Sequence, residues 1–332
     1  MPEPVPALPL ARGQEVARPQ RYFFLLLERF TLISFAAAIE PLRLANRLSG
    51  RPLYEWRVIG ENGEFAACSN GTRVKLDGGL CETLRSDTIL VCGGVDIARA
   101  ATRPVLGWLR REARRGARMG ALCTGAWVLA EAGLLEGRRA TIHWENQDGF
   151  AEEFPDVTLI RTVFVEDASR MTAAGGTAAI DLMLRQIARD HGSELANRVA
   201  DQMIHTSIRS EDDHQRLSIP TRIGARHPRL AQVIARMEAN IEDPISPARL
   251  ATDADMSPRQ LERLFARYLG RSPKRYYMEL RLERARNLLM QTEMSVIEIA
   301  LACGFGSASH FSKCYRAVYG GTPYRQRGAA AS

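Results

Sequence analysis

From Tyr22 the chain alternates short continuous apolar runs with longer amphipathic stretches. YFFLLLE (22–28), YEWRVIG (54–60), DTILVCGG (87–94) and ARMGALC (117–123) have the length and apolar continuity of strands covered on both faces. Between them AAAIEPLRLANRL (36–48), a basic stretch at 103–115 and TGAWVLAEAGLL (124–135) carry helical spacing. A strand near 139–142, VFVEDA (163–168) and MTAAGG (171–176) leading into AIDLMLRQIARDHG (179–192) extend the alternation. Strands that alternate with helices predict an α/β sandwich with a mostly parallel sheet over residues 21–192. A helix is predicted from Ser193 to about Ile208, followed by a linker rich in charge, proline and turn residues to 228. From 229 to 327 only helical spacing is found, and 328–332 is a short tail. Residues 1–20 hold five of the sixteen prolines and few large apolar side chains, which predicts a disordered lead-in.

The last hundred residues repeat themselves at an offset of 50. Ser257, Leu261, Arg263, Phe265, Gly270, Ser272, Pro273 and Arg275 recur as Ser307, Phe311, Lys313, Tyr315, Gly320, Thr322, Pro323 and Arg325. Each copy opens a helix on a serine N-cap, and a short apolar helix precedes it (PARLATDA, VIEIALAC). Two helix-turn-helix units follow, which makes this an all-α domain. SPKRYYMELRLERARNLLMQT begins with a serine cap and a proline at the first helical position, so it predicts one long connecting helix. At offset 50, Ala254 and Asp255 fall where the second copy has Gly304 and Phe305, so the first turn is expected to be less tight.

Charge sharpens this division. Of 45 Lys and Arg and 38 Asp and Glu in the chain, residues 229–332 hold 16 and 10, leaving 29 and 28 before them. The positive excess lies in the helical third, which predicts a polyanionic partner there. The alternative is a solvated basic face on an interaction bundle. No apolar run reaches membrane-spanning length and no secretory signal pattern opens the chain, so a cytoplasmic protein without a membrane partner is expected. The six cysteines form no C-x-x-C pair and have no histidines at zinc spacing; neither a disulfide framework nor a metal is indicated.

VIEIALACGFGSASHFSKCYRAVYGGTPYRQR resembles the signature end of the AraC family of transcription regulators, and the likeness covers about 229–327. It implies promoter DNA as partner, with Arg259, Glu262, Arg263 and Arg267 on the first recognition helix and Ser309, His310, Ser312 and Lys313 on the second as base or phosphate contacts. It also implies a homodimer and contact with RNA polymerase.

MGALCTGAWVLA sets Cys123 between an apolar strand and a helix, an arrangement akin to a nucleophile elbow, where the helix N-terminus is expected to lower the thiol pKa. With Gly94 in VCGG offering backbone amides at the same sheet edge, residues 21–190 resemble the DJ-1/PfpI superfamily, relatives of class I glutamine amidotransferases. Hydrolytic members of that superfamily carry a histidine after the cysteine, where this chain has Thr124. Glu40 resembles the acidic partner of the superfamily cysteine, and His143 lies twenty residues on. A cysteine lacking a positioned base is a weak nucleophile. Cys123 therefore reads as a pocket residue rather than a catalyst, and the chain as no enzyme. A cysteine-dependent amidase, hydratase or glyoxalase tethered to DNA, or a redox sensor, are the alternatives.

Trp144 and Glu145 in ATIHWEN offer a π face beside a carboxylate, the pair that recognises an alkylammonium or guanidinium head. A core tryptophan beside a helix N-terminal acid is an equal alternative. Glu40 and Arg43 follow the first strand, where open α/β sheets bind ligands, and Asn70 in CSNG is a further polar candidate with an alternative turn role. The fused order resembles the GlxA group of bacterial regulators. EPLRLANRLSGR, GALCTGA, ATIHWEN, AGGTAAIDLML, DQMIH and DHQR look most like regulators of glycine betaine and carnitine catabolism, and arginine-responsive regulators share much of this. The resemblance implies a small cationic effector, no cofactor, and an activator.

Overall fold

A computed structural model describes residues 18–215 and 227–331. The described residues to Gln215 form one unit and those from His227 a second. The expected lead-in up to residue 17 and the linker residues 216–226 lie outside the described residues.

In the first unit β1 (Gln20–Leu26) pairs in parallel with β2 (Tyr54–Ile59) on one side and β5 (Thr88–Cys92) on the other. β6 (Arg118–Leu122) and β10 (Arg170–Ala173) continue the parallel sheet, and β9 (Phe164–Asp167) closes its edge antiparallel. The order is β2-β1-β5-β6-β10-β9. Both faces are covered, which is why β1 reads as an unbroken apolar run. Tyr22, Phe24 and Leu26 enter one core with α1 (Leu32–Ser49), α6 (Ala178–His191) and α7 (Ser193–Gln202). The alternate residues Phe23, Leu25 and Leu27 enter the opposite core with α3 (Arg103–Arg115), α4 (Gly125–Glu131) and α5 (Gln147–Glu153). The strand expected near 139–142 is the short β7 (Arg139–Ala140), which pairs with β8 (Thr158–Leu159); the periodicity does not foretell β8, β3 (Phe65–Ala67) with β4 (Arg73–Lys75), or α2 (Ile97–Ala100).

One predicted helix is shorter than its sequence pattern. The stretch expected to run to Ile208 ends at Gln202, and Ile204 takes a left-handed φ of 55°. The NH of Ile204 bonds to Asp201 and that of His205 to Ala200, a paired closure that ends the helix. What overrides helical propensity is Asp181, fully buried on α6. A buried carboxylate must be paired. His205 Nε2 at 2.8 Å, the Arg209 backbone NH at 2.8 Å and Arg209 Nε at 2.9 Å supply the partners, which draws the chain back across α6.

The second unit consists of α8 (Pro228–Ala239), α9 (Pro247–Asp253), α10 (Pro258–Leu269), α11 (Pro273–Gln291), α12 (Val296–Ala302), α13 (Ala308–Tyr319) and α14 (Pro323–Ala331). Serines 246, 257, 272, 295 and 307 each cap a helix by accepting a backbone NH. There are two small cores. α8, α9 and α10 share one with Tyr276 and Tyr277 from the start of α11; α12 and α13 share the other with Leu282, Ala285, Leu288 and Leu289 from its later turns. A single 19-residue helix, about 28 Å long at the usual rise, thus belongs to both helix-turn-helix units and spaces them rigidly.

The turns of the two units correct the expectation drawn from the offset of 50. Asp255 and Gly304 both hold left-handed φ values, 52° and 73°. The NH of Met256 bonds to Ala251 at 2.9 Å, and that of Phe305 to Ala300 at 2.8 Å. In structure Asp255 therefore matches Gly304, and Gly306 is an insertion before Ser307. The first turn is as tight as the second, because an aspartate tolerates the left-handed region better than most side chains.

Candidate functional site

Cys123 stands between β6 and α4 at a φ of 60°, a conformation that lifts the side chain out of the strand end. Its NH is fixed to the Ala173 carbonyl at 2.9 Å. Glycines make room around it. A Cβ on Gly175 would meet Cys123 Cβ at 2.7 Å and Sγ at 3.0 Å, and one on Gly93 would meet the Gly125 nitrogen at 2.3 Å. Thr124 donates its hydroxyl to the Gly94 carbonyl at 2.6 Å, which ties the β5 and β6 ends together. Thr31, the N-cap residue of α1, brings its hydroxyl to 3.7 Å from Cys123 Sγ, and Ser34 in the first turn accepts the NH of Gly176 at 2.9 Å. The starts of α1 and α6 therefore meet at the cysteine.

The thiol is not activated as the sequence led us to expect. Burial pushes the Cys123 pKa up, and hydrogen bonds from Thr31, the Thr124 backbone and Ser34 offset this only in part, while the Glu145 carboxylate pushes it further up. Desolvation outweighs the helix N-terminus here. Thr124 occupies the position after the cysteine and its hydroxyl is committed to Gly94, so no base follows directly.

Glu145 and its neighbours come from the segment after β7. His143 is half-buried, its pKa lowered by burial against a smaller raising effect of Glu145. Its Nδ1 accepts the Glu145 backbone NH at 3.4 Å and lies 3.8 Å from Glu145 Oε2. The Trp144 ring is tilted against it with centroids 5.5 Å apart. Trp144 is half-buried and Glu145 exposed, so the tryptophan is not a core residue.

Of the residues expected in this site, Gly94, Cys123 and Thr124 meet at the carboxyl ends of β5 and β6, and the Glu145 carboxylate lies near enough to raise the thiol pKa. The others have different partners. Glu40 accepts both hydrogen bonds of Arg43, at 2.9 and 2.6 Å, on the half-exposed side of α1. The groups that act on the thiol are Thr31, Ser34, Thr124 and Glu145. Asn70 is exposed and accepts the Thr72 NH at 3.0 Å, a turn role. Sequence reading missed Thr31, Ser34, Gly175 and Gly176. A threonine and a serine in the first turn after β1, and a Gly-Gly before α6, were the available signals. Among the described residues no group of three His, Cys, Asp or Glu could hold a metal, and none of the six cysteines is in a disulfide.

In the second unit α10 buries Leu261, Leu264 and Phe265 and leaves Arg259, Glu262, Arg263 and Arg267 exposed on its opposite face. α13 buries Phe311 and Tyr315 and exposes Ser309, His310 and Lys313, with Ser312 half-buried. The His310 imidazole sits against Phe305 at 5.9 Å and Cys314 Sγ at 3.4 Å, which holds it close to its own helix. Arg281 on α11 donates to the carbonyls of Cys303 at 2.8 Å and Gly304 at 2.6 Å, and lies 4.2 Å over the Phe305 ring. Arg229 makes the matching bond to the Asp255 carbonyl at 3.2 Å.

An open α/β sheet with a cysteine at the carboxyl ends of its central strands, followed by two helix-turn-helix units with basic outer faces, defines a DNA-binding transcription regulator with a DJ-1/PfpI-like domain. Residues 24–189 match the DJ-1/PfpI family and 250–329 match a helix-turn-helix domain. The chain is 48% identical over 309 residues to the HTH-type transcriptional regulator GbdR of Pseudomonas aeruginosa, covering 93% of this chain and 84% of that one. It is 45% identical over 308 residues to the HTH-type transcriptional regulator CdhR of the same species, covering 93% and 91%. A crystal structure of an AraC family transcriptional regulator from Pseudomonas putida aligns with 56% of this chain and all of its own, at 29% identity and a TM-score of 0.50. The chain belongs to the GlxA-type family of transcription regulators, which join a DJ-1/PfpI domain to an AraC-type DNA-binding domain, and it is a regulator rather than an enzyme.

Proposed function

We propose that the first unit is a sensor for a small zwitterion with a cationic head, of which glycine betaine, carnitine and arginine are examples. The observation that carries this reading is the meeting of the α1 and α6 starts at Cys123, where Thr31 and Ser34 approach the thiol and Gly176, with the Glu145 carboxylate near enough to raise the thiol pKa. The starts of α1 and α6 favour negative charge at the Cys123 end. Trp144 and Glu145 favour positive charge at the other. A zwitterion satisfies both ends, whereas a simple cation satisfies one.

In this reading effector binding shifts the population of two sensor states, and the DNA-binding unit responds. Arg259, Glu262, Arg263 and Arg267 on α10 and Ser309, His310, Ser312 and Lys313 on α13 are the DNA contacts, entering successive major grooves if they stand about 34 Å apart. The family pattern adds a homodimer on paired half-sites, contact with RNA polymerase, activation as the output and a cytoplasmic location. The test is DNA affinity, on a site selected from a randomised pool by the purified chain, measured with and without each compound. A change caused by one of them supports the sensor. Unaltered affinity with all of them, even as each is raised to high concentration, counts against it.

A further inference from the structure

Residues 204–215, after α7, are held to the sensor in an unusual way. Ile204 combines a left-handed backbone with a β-branched side chain that is 84% exposed, a strained conformation with no compensating burial. Beyond it the chain is pinned at two places. At the first, buried Asp181 takes His205 and Arg209. At the second, the NH of Val163 bonds to Asp213, His214 bridges Thr162, and the Gln215 amide nitrogen donates to Thr141 Oγ1 at 2.9 Å, the Ile142 carbonyl at 2.8 Å and the Thr162 carbonyl at 3.0 Å. Between the pins lies a cavity of about 410 Å³ lined by Phe164, Leu184, Ala196, Ile208, Arg209 and Asp212. The stretch spans a hollow instead of a packed core.

Gln215 has two further properties. Its Oε1 is buried without a hydrogen-bond partner among the described residues. Its contact Ile142 is the residue before His143, Trp144 and Glu145. A movement of that segment on binding a ligand acts directly on the acceptors that hold Gln215.

We propose that residues 204–215 form a detachable strap, and that Gln215 reads the position of the 141–145 segment and transmits it along the chain to the DNA-binding unit. Strain at Ile204 and the incomplete burial of Ile208 oppose docking; Asp181 and the Gln215 bonds favour it. Near-balanced terms of this kind make a two-state element that a modest difference in ligand affinity can tip. The strap rests on the sensor reading above for its trigger, but not for its existence.

The experiment compares two proteins that fix the strap in opposite states. Thr162 and His214 face each other as a pair flanked by the Val163-to-Asp213 bond, at the spacing of about 4.5 Å typical of such pairs, which a disulfide accepts. Thr162→Cys with His214→Cys therefore locks the strap when oxidised and frees it when reduced. Gln215→Ala loosens it. Without any effector, the oxidised staple and Gln215→Ala are expected to differ by about tenfold or more in affinity for the selected DNA site. Amide exchange in 141–146 should rise together with that in 204–215 in Gln215→Ala. The oxidised staple should bind glycine betaine, carnitine or arginine without a change in DNA affinity, and reduction should restore the change. Equal DNA affinity of the two fixed proteins overturns the strap, as does an oxidised staple that responds like the wild type. If the fixed proteins differ but none of the three compounds acts on the wild type, the strap stands and the effector class is wrong.

Discussion

Asp255 and Gly304 occupy the same left-handed position in the turns of the two helix-turn-helix units, yet only one of them has room for a side chain. A Cβ at Gly304 would meet the carbonyl oxygens of Ile241 and Glu242 at 2.6 and 2.7 Å, both backbone atoms of the segment between α8 and α9. Gly304→Ala is expected to lower the stability of the DNA-binding unit by about 2 kcal/mol or more, from the clash and the strained φ together. Asp255→Gly should raise it by about 0.5 to 1 kcal/mol by relieving the same φ. Thermal or urea unfolding of the two variants checks the contrast, and equal effects would mean that the turns are not equivalent.

Arg281 should matter through its planar fork. It holds the carbonyls of Cys303 and Gly304 and covers Phe305, so Arg281→Ala is expected to cost on the order of 2 to 3 kcal/mol. Arg281→Lys should recover less than half of that, because an ammonium cannot span two carbonyls and stack. Full recovery by lysine would reduce the role of Arg281 to its charge.

On the outer faces, Arg263→Ala and Lys313→Ala are each expected to weaken binding to the selected site by about 1 to 3 kcal/mol if they read bases, with lost discrimination at a few positions. Glu262→Ala should alter sequence preference more than affinity. For a residue that touches only phosphate the loss is uniform across sequences and the salt dependence becomes shallower by about one ion. Gel shifts over a salt series with point-mutated sites separate these outcomes.

Much of this was legible in the sequence, and the exceptions have physical causes. The strands of the parallel sheet were readable because burial on both faces makes them continuously apolar, as in β1 and β5. Serine caps with proline at the first helical position marked α9, α10 and α11. The end of α7 was not readable, since the partners of Asp181 lie 24 and 28 residues away and no local pattern announces them. The register of the first turn was lost to a single inserted residue, Gly306. Cys123 was identifiable from its strand-to-helix setting, but its raised pKa was not, because the surrounding burial is a tertiary property.

The pH response of the first unit follows from those buried groups. Cys123 and Cys92 have pKa values raised by burial, and Tyr22 and Tyr54 likewise. A raised folded-state value means stability that is whole below the unfolded pKa and lost above it, so stability should fall from about pH 8.5 and more steeply beyond pH 10. His143 and His191 are lowered by burial, which gives stability present above about pH 6.5 and lost as the pH drops below it. Unfolding midpoints between pH 5 and 11 test both limbs. Cys123 should also react with iodoacetamide more slowly at pH 8 than a free thiol, and a faster reaction would revive the activated cysteine.

The most direct test of the sensor account is the unfolding midpoint of the full chain with glycine betaine, dimethylglycine, carnitine, choline and arginine in turn. A ligand at about 100 times its dissociation constant adds roughly 2.7 kcal/mol to the native state. The account predicts a clear upward shift with a carboxylate-bearing cation, little or none with choline, and loss of that shift in Trp144→Ala. Shifts with choline equal to those with glycine betaine, or no shift with any of the five, would contradict it.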